Sequence, residues 1–327
     1  MPRVALGTDY PDRVISRLRA SRLPRVALVV VALAFCVYGL ASRWDDTRHA
    51  LTAFSWPYMV AALVAGIVGL ATWMLGWRSL LAGMGSPLPL RAAVRVYFVS
   101  QLGKYIPGSV WALVAQMELA KEHHVPRQRG ATAALLAMAT TIASGCAVAA
   151  VTLPLTSSDA THRYWWLLVL APIFLALLHP RIVAWTLNRA LRLARRQPLD
   201  RTAGLGTMIR AVAWTALGWL LFGAHAWLLV RAAGGSGFFL STGAYALAFT
   251  AGFLVVIAPG GVGVREAALT VALGPVLPAG APLVVALASR VVMTAADLLW
   301  AGSAVLLGSR HPAVEEAELL EQQPETR

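Results

Sequence analysis

Lys104-Tyr105-Ile106-Pro107-Gly108-Ser109-Val110 and Pro259-Gly260-Gly261-Val262-Gly263-Val264-Arg265-Glu266 are Pro-Gly runs placed inside apolar sequence. Each interrupts a stretch, 94 to 119 and 241 to 277, whose composition suits the interior of a bilayer. Proline removes a backbone donor and glycine readily takes left-handed backbone, so neither run continues a helix. Pro107-Gly108-Ser109-Val110 aligns on Pro259-Gly260-Gly261-Val262 at an offset of 152 residues, 259 minus 107. The pair reads as one broken element used twice.

The surrounding chain sets the solvent. Hydrophobic residues make up 58% and charged residues 13% of 327 positions, which excludes a water-soluble globule of ordinary composition. A crossing helix needs roughly 20 apolar residues. Full-length apolar segments run over about 25 to 41, 56 to 77, 131 to 153, 164 to 180, 211 to 233 and 280 to 307. The expected fold is all-α and polytopic, with about six full transmembrane helices and two Pro-Gly-broken re-entrant hairpins.

Segments flanking the breaks keep a similar offset, with centres near 67 and 222 before them and near 142 and 293 after them. That defines repeat units of about 56 to 153 and 211 to 307. A formal charge of +13 is consistent with Lys and Arg retained on the cytoplasmic side. With residues 1 to 24 as a basic cytoplasmic N-terminus, Arg43, Arg48, Arg163 and Arg231 fall outside and Lys104, Arg265 and Arg290 within membrane segments. The remaining 21 of 28 basic residues are then cytoplasmic. This assignment makes the repeat inverted, with 94 to 119 entered from the cytoplasm and 241 to 277 from outside. Helix 164 to 180 and the Arg-rich stretch 181 to 210 join the units, and the acidic tail 309 to 327 reads as cytoplasmic and unstructured.

A helix of 12 residues rises about 18 Å, so each hairpin arm places its tip near the membrane midplane. Non-helical backbone there must line a cavity or be buried in protein. The half-helix after each tip offers free N–H groups and a positive dipole end, an arrangement suited to phosphate. Ser109 can cap the first half-helix, and Gly260, Gly261 and Gly263 let backbone approach an anion. A Pro-Gly kink used for packing alone is the competing reading.

Ionisable residues inside membrane segments are functional candidates. Lys104 suits phosphate contact or snorkelling to headgroups. Arg265 and Glu266 suit the site, or the outer interface and the helix dipole respectively. Arg290 and Asp297, seven residues apart on one face of the last helix, suit pairing with hairpin charges, Arg290 with Glu266 first. Glu118 reads as interfacial, His179 and His225 as isolated in apolar helices, and Cys36 and Cys146 as packing residues. No catalytic residue, metal ligand set, nucleotide loop or cofactor motif is visible.

Gln101-Leu102-Gly103-Lys104-Tyr105-Ile106-Pro107-Gly108-Ser109-Val110-Trp111 and Pro259 to Leu269, with Arg290, resemble the lysylphosphatidylglycerol synthase transmembrane family, also called the flippase-like domain family. The likeness spans about 25 to 308. It implies movement of an anionic lipid between leaflets: aminoacylated phosphatidylglycerol in the multiple peptide resistance factor, and polyprenyl-phosphate-linked sugars or other glycolipids in stand-alone members. The implied substrate-binding set is Lys104, Tyr105, Pro107, Gly108, Ser109, Pro259, Gly260, Gly261, Gly263, Arg265, Glu266, Arg290 and Asp297. Fitting partners are an anionic or polyprenyl-phosphate lipid, a second copy of the chain, and a membrane glycosyltransferase or lipid synthase, not nucleic acid. The sequence ends near 327 without an aminoacyl-transferase domain, so lysylphosphatidylglycerol synthesis is not expected. Where members often carry a Glu after the first hairpin, this chain has Thr140 and Thr141. An integral membrane enzyme acting on polyprenyl-phosphate glycolipids, with Glu266 and Asp297 as acid or base, is the alternative, followed by a non-transporting accessory of a synthase.

Overall fold

The structure, a computed structural model, describes residues 55–105, 111–158, 161–162, 165–193, 203–255, 261 and 263–308. The expected N-terminal segment 1 to 24, helix 25 to 41, the tail 309 to 327 and Cys36 lie outside these residues. The described chain is helical, with no strand among the described residues. Among the described residues, four helices are long and apolar enough to cross a membrane: α1 Trp56–Gly83, α4 Arg127–Thr152, α7 Leu205–Ala232 and α10 Ala281–Gly308. Between α1 and α4 lie α2, Leu90–Gln101, a short 3₁₀ turn Leu102–Tyr105, and α3, Trp111–Lys121. Between α7 and α10 lie α8, Phe238–Leu254, and α9, Val264–Leu273. Long helix, broken pair, long helix therefore occurs twice.

Segment 164 to 180 differs from expectation. It contains only a ten-residue helix, α5 Leu167–Ala176, which bends by 70° into α6, Pro180–Leu193. Leu167–Ala176 alone is too short to cross a membrane, so this segment is not one full straight span. Pro172 sits inside α5, and Pro180 cannot continue the hydrogen-bond ladder across residues 177 to 179. His179 consequently sits at the bend and not within an apolar helix, with Nδ1 accepting the Arg181 N–H at 3.3 Å.

The repeat offset also differs from a constant 152. It is 149 between the starts of α1 and α7 (205 minus 56) and 154 between those of α4 and α10 (281 minus 127). The second unit gains its extra residues around its hairpin. At the 149 offset the two first helices end alike. Gly85 and Gly234 take positive φ of 80° and 81°, and the next N–H reaches back to Leu81 and Val230 carbonyls respectively. This is the glycine-terminated closure that satisfies orphan carbonyls at a helix end.

The centre of the protein is the α1–α7 contact, and glycine makes it close. An added Cβ on Gly69 would lie 2.7 Å from Phe222 Cε1, and one on Gly218 would collide with Trp73. These two contacts exchange under the 149 offset, since 69 becomes 218 and 73 becomes 222. Gly76 beside Thr215 and Gly66 beside His225 exchange in the same way. Positions rise along α1 as their partners fall along α7, so the helices are antiparallel, and the units are related by a two-fold rotation that inverts one against the other. The remaining packing follows that symmetry: α2 lies on α10 as α8 lies on α4, and α9 on α10 as α3 on α4. Small residues permit such backbone approach where lipid supplies no hydrophobic drive between helices.

Candidate functional site

The α10 helix gathers the intramembrane charges. Arg290 and Asp297 stand about two turns apart along it, and each finds a partner on a different hairpin. Arg290 Nη1 lies 3.4 Å from Glu266 Oε1, the pairing expected from sequence. Glu266 Oε2 accepts the Gly263 N–H at 2.7 Å, so the same carboxylate caps α9 and balances Arg290. The helix-end role read for Glu266 and its pairing with Arg290 thus occur together.

Asp297 receives the first hairpin. Its Oδ2 lies 2.6 Å from Lys104 Nζ and accepts the Tyr105 hydroxyl at 2.7 Å, while Tyr105 Oη lies 3.4 Å from Thr294 Oγ1. Asp297 is 3% exposed and Lys104 32%. The ammonium read as a phosphate ligand or a snorkelling group is therefore held by a buried carboxylate. Asp297 Oδ1 has no hydrogen-bond partner among the described residues.

Arg265 takes a third environment. Its guanidinium donates to the Tyr245 hydroxyl and lies over two rings, 4.7 Å from the Tyr245 centroid and 5.2 Å from that of Phe249. No carboxylate pairs with it among the described residues. Arginine's planar fork suits this ring-face seat. The Tyr245–Arg265 contact joins α8 to α9 within the second hairpin. Tyr245 and Phe249 were not singled out in the sequence. Their signal is slight: two aromatics four residues apart in an apolar helix, the same spacing that core packing uses.

Pro107, Gly108, Ser109, Pro259 and Gly260 lie outside the described residues. Gly261 and Gly263 have φ of 70° and 87°, a region that disfavours side chains. An added Cβ on Gly261 would lie 3.0 Å from Gly252 Cα. In the first hairpin, Gly103 meets the backbone of Ala112 in the same manner. These glycines close the hairpins, a packing role that stands beside any anion contact. Glu118 is exposed and pairs with Arg127 at 2.7 Å, as an interfacial residue should. His225 is fully buried, its Nδ1 3.0 Å from the Ala62 carbonyl and its Nε2 2.9 Å from Ser289 Oγ, so it ties α7 to α1 and α10.

Both hairpins are thus tied to one helix, α10, by these charges. A family model described as "Lysylphosphatidylglycerol synthase TM region" matches residues 23–301. The chain belongs to this family. The matched span includes α1 to α9, most of α10 and both ion pairs. No curated protein matches the chain. The chain is a multi-pass membrane protein of the lysylphosphatidylglycerol synthase TM family, a family related to lipid synthesis and flipping. At the position where family resemblance suggests a Glu, Thr140 is buried and its hydroxyl donates to the Leu136 carbonyl at 2.8 Å.

Proposed function

We propose that this chain moves an anionic lipid across the bacterial cytoplasmic membrane, with both termini cytoplasmic, and performs no covalent chemistry on it. The lipid class is a phospholipid, aminoacyl-phosphatidylglycerol or a polyprenyl-phosphate-linked sugar. The supporting observation is the set of intramembrane charges: Lys104, Arg265 and Arg290 against Glu266 and Asp297, with Arg265 facing a hydroxyl and two ring faces and no carboxylate among the described residues. Neither 106–110 nor 256–262 adds an ionisable residue. The formal balance is one positive charge, which one lipid phosphate neutralises.

Charges in a low-dielectric interior are costly unless paired. Lys104–Asp297 joins the first hairpin to α10, whereas Arg290–Glu266 joins the second hairpin to the same helix. A phosphate that displaces a carboxylate from either cation frees one hairpin while the other stays tied. In inverted units this gives alternate opening to the two sides. The headgroup would cross along these charges while acyl or prenyl chains remain in lipid.

Reconstitution in liposomes with labelled anionic lipids tests the proposal. Translocation under a membrane potential or a proton gradient is expected. No translocation of any anionic lipid under either condition would refute it, and product formation from a polyprenyl-phosphate sugar would instead favour an enzyme.

A further inference from the structure

Asp297 holds a carboxylate that is only half used. Oδ2 takes both the Lys104 ammonium and the Tyr105 hydroxyl, whereas Oδ1, buried in the same side chain, has no hydrogen-bond partner among the described residues. An ionised carboxylate can accept about four hydrogen bonds. A buried acceptor left without a donor is destabilising. This oxygen therefore favours any ligand that brings a donor when the Lys104 tie opens.

Charge restricts what that donor can be. With a net formal charge of +1 among Lys104, Arg265, Arg290, Glu266 and Asp297, a headgroup carrying one phosphate and neutral hydroxyls leaves the site balanced. A lysyl headgroup carries two ammonium groups against one phosphate. It would raise the combined charge of site and ligand to +2, beside an ammonium already placed on the same carboxylate.

We infer that the site selects a monoanionic lipid whose headgroup adds a neutral hydroxyl donor to its phosphate, the hydroxyl docking on Asp297 Oδ1. The chain accordingly discriminates against cationic, aminoacylated lipids. This rests on the proposed lipid-translocating function and narrows its substrate class. Glycerol and sugar hydroxyls share the required chemistry, so both a glycerophospholipid and a polyprenyl-phosphate sugar qualify.

The test is competitive lipid retention by the full-length, delipidated protein, quantified by mass spectrometry. Phosphatidylglycerol is compared with phosphatidylmethanol, which keeps the phosphodiester and lacks the hydroxyl, and with lysylphosphatidylglycerol, all with identical acyl chains. A polyprenyl-phosphate hexose is compared with the methyl phosphodiester of the same polyprenol, which keeps the single negative charge and lacks the sugar hydroxyls. About tenfold preference for the hydroxyl-bearing member of each retained pair, as expected for a hydrogen bond to a charged group, supports the inference. Whichever pair is retained more strongly names the source. Equal retention of phosphatidylglycerol and phosphatidylmethanol, or stronger retention of the lysyl lipid, overturns the inference and leaves lipid translocation intact. Retention of none of these lipids overturns both.

Discussion

Lys104 Nζ and Asp297 Oδ2, 2.6 Å apart, connect the hairpin of the first unit to the last helix of the second. The bond has no counterpart at the mirrored position. At the 154 offset of these two helices Asp297 aligns with Ala143, an apolar residue packed against the hydrophobic core. The backbone is two-fold, but its charges are not. One face of the pseudo-symmetric core carries the ion pairs and the other is filled by aromatic packing.

Removing Lys104 strands a buried carboxylate, so Lys104→Met should cost stability. Because Lys104 is about one-third exposed and Tyr105 still donates, about 2 kcal/mol is expected, below the roughly 3 to 5 kcal/mol of a fully buried pair. Asp297→Asn in the same chain should recover part of that loss. A double-mutant cycle on unfolding midpoints in detergent reads the coupling, expected at about 1 to 2 kcal/mol. Additive losses would show the contact to be energetically idle.

The reciprocal glycine contacts divide substitutions that look alike in sequence. Gly69→Ala places a methyl 2.7 Å from Phe222 Cε1 and should lower stability by roughly 1 to 3 kcal/mol. Gly76→Ala meets Thr215 Oγ1 at 3.4 Å, ordinary contact, and gains helix propensity of up to about 1 kcal/mol. Thermal melts should therefore move in opposite directions, or stay unchanged for Gly76→Ala.

Inversion of the units makes a topological demand. Gly235 and Gly280 flank the second hairpin pair and should report the outside in reporter fusions. Positions 86 and 124, which flank the first, should report the cytoplasm. A cytoplasmic signal at Gly235 or Gly280 would refute the assigned orientation.

Tyr245 should matter through its hydroxyl more than through its ring. Tyr245→Phe keeps the face beneath Arg265 and removes only the group to which the guanidinium donates. Lipid translocation about tenfold below wild type, in a variant that still shows a cooperative thermal transition, is the expected result of losing one hydrogen bond to a charged group. An unaltered rate would assign Tyr245 to packing alone.

Much of this was legible in sequence because membrane solvent simplifies the rules. Pro-Gly interruptions gave the breaks, and seven-residue spacing put Arg290 and Asp297 on one face, with Glu266 as a partner for Arg290. The partner of Asp297 was harder, since Lys104 is 193 residues away and joins it only through the two-fold packing of α2 on α10. Tyr245 was hidden for a different reason: in an apolar helix a buried aromatic usually fills space. The α1–α7 interface was not read from the sequence: Gly69, Gly76 and Gly83 recur at heptad spacing, but only their contacts with α7 give that spacing a meaning. The bend in segment 164 to 180 was missed, because the apolar composition outweighed Pro172 and Pro180, the residues that break it.

The decisive measurement is the rate of anionic-lipid translocation in liposomes by wild type, Arg265→Gln and Arg290→Gln, each first shown to be folded by its thermal transition. Translocation at least about tenfold below wild type is expected in both variants, since each change removes a cation from the preorganised set of charges. Folded variants that translocate the lipid at the wild-type rate would contradict the assignment of this set as the phosphate path.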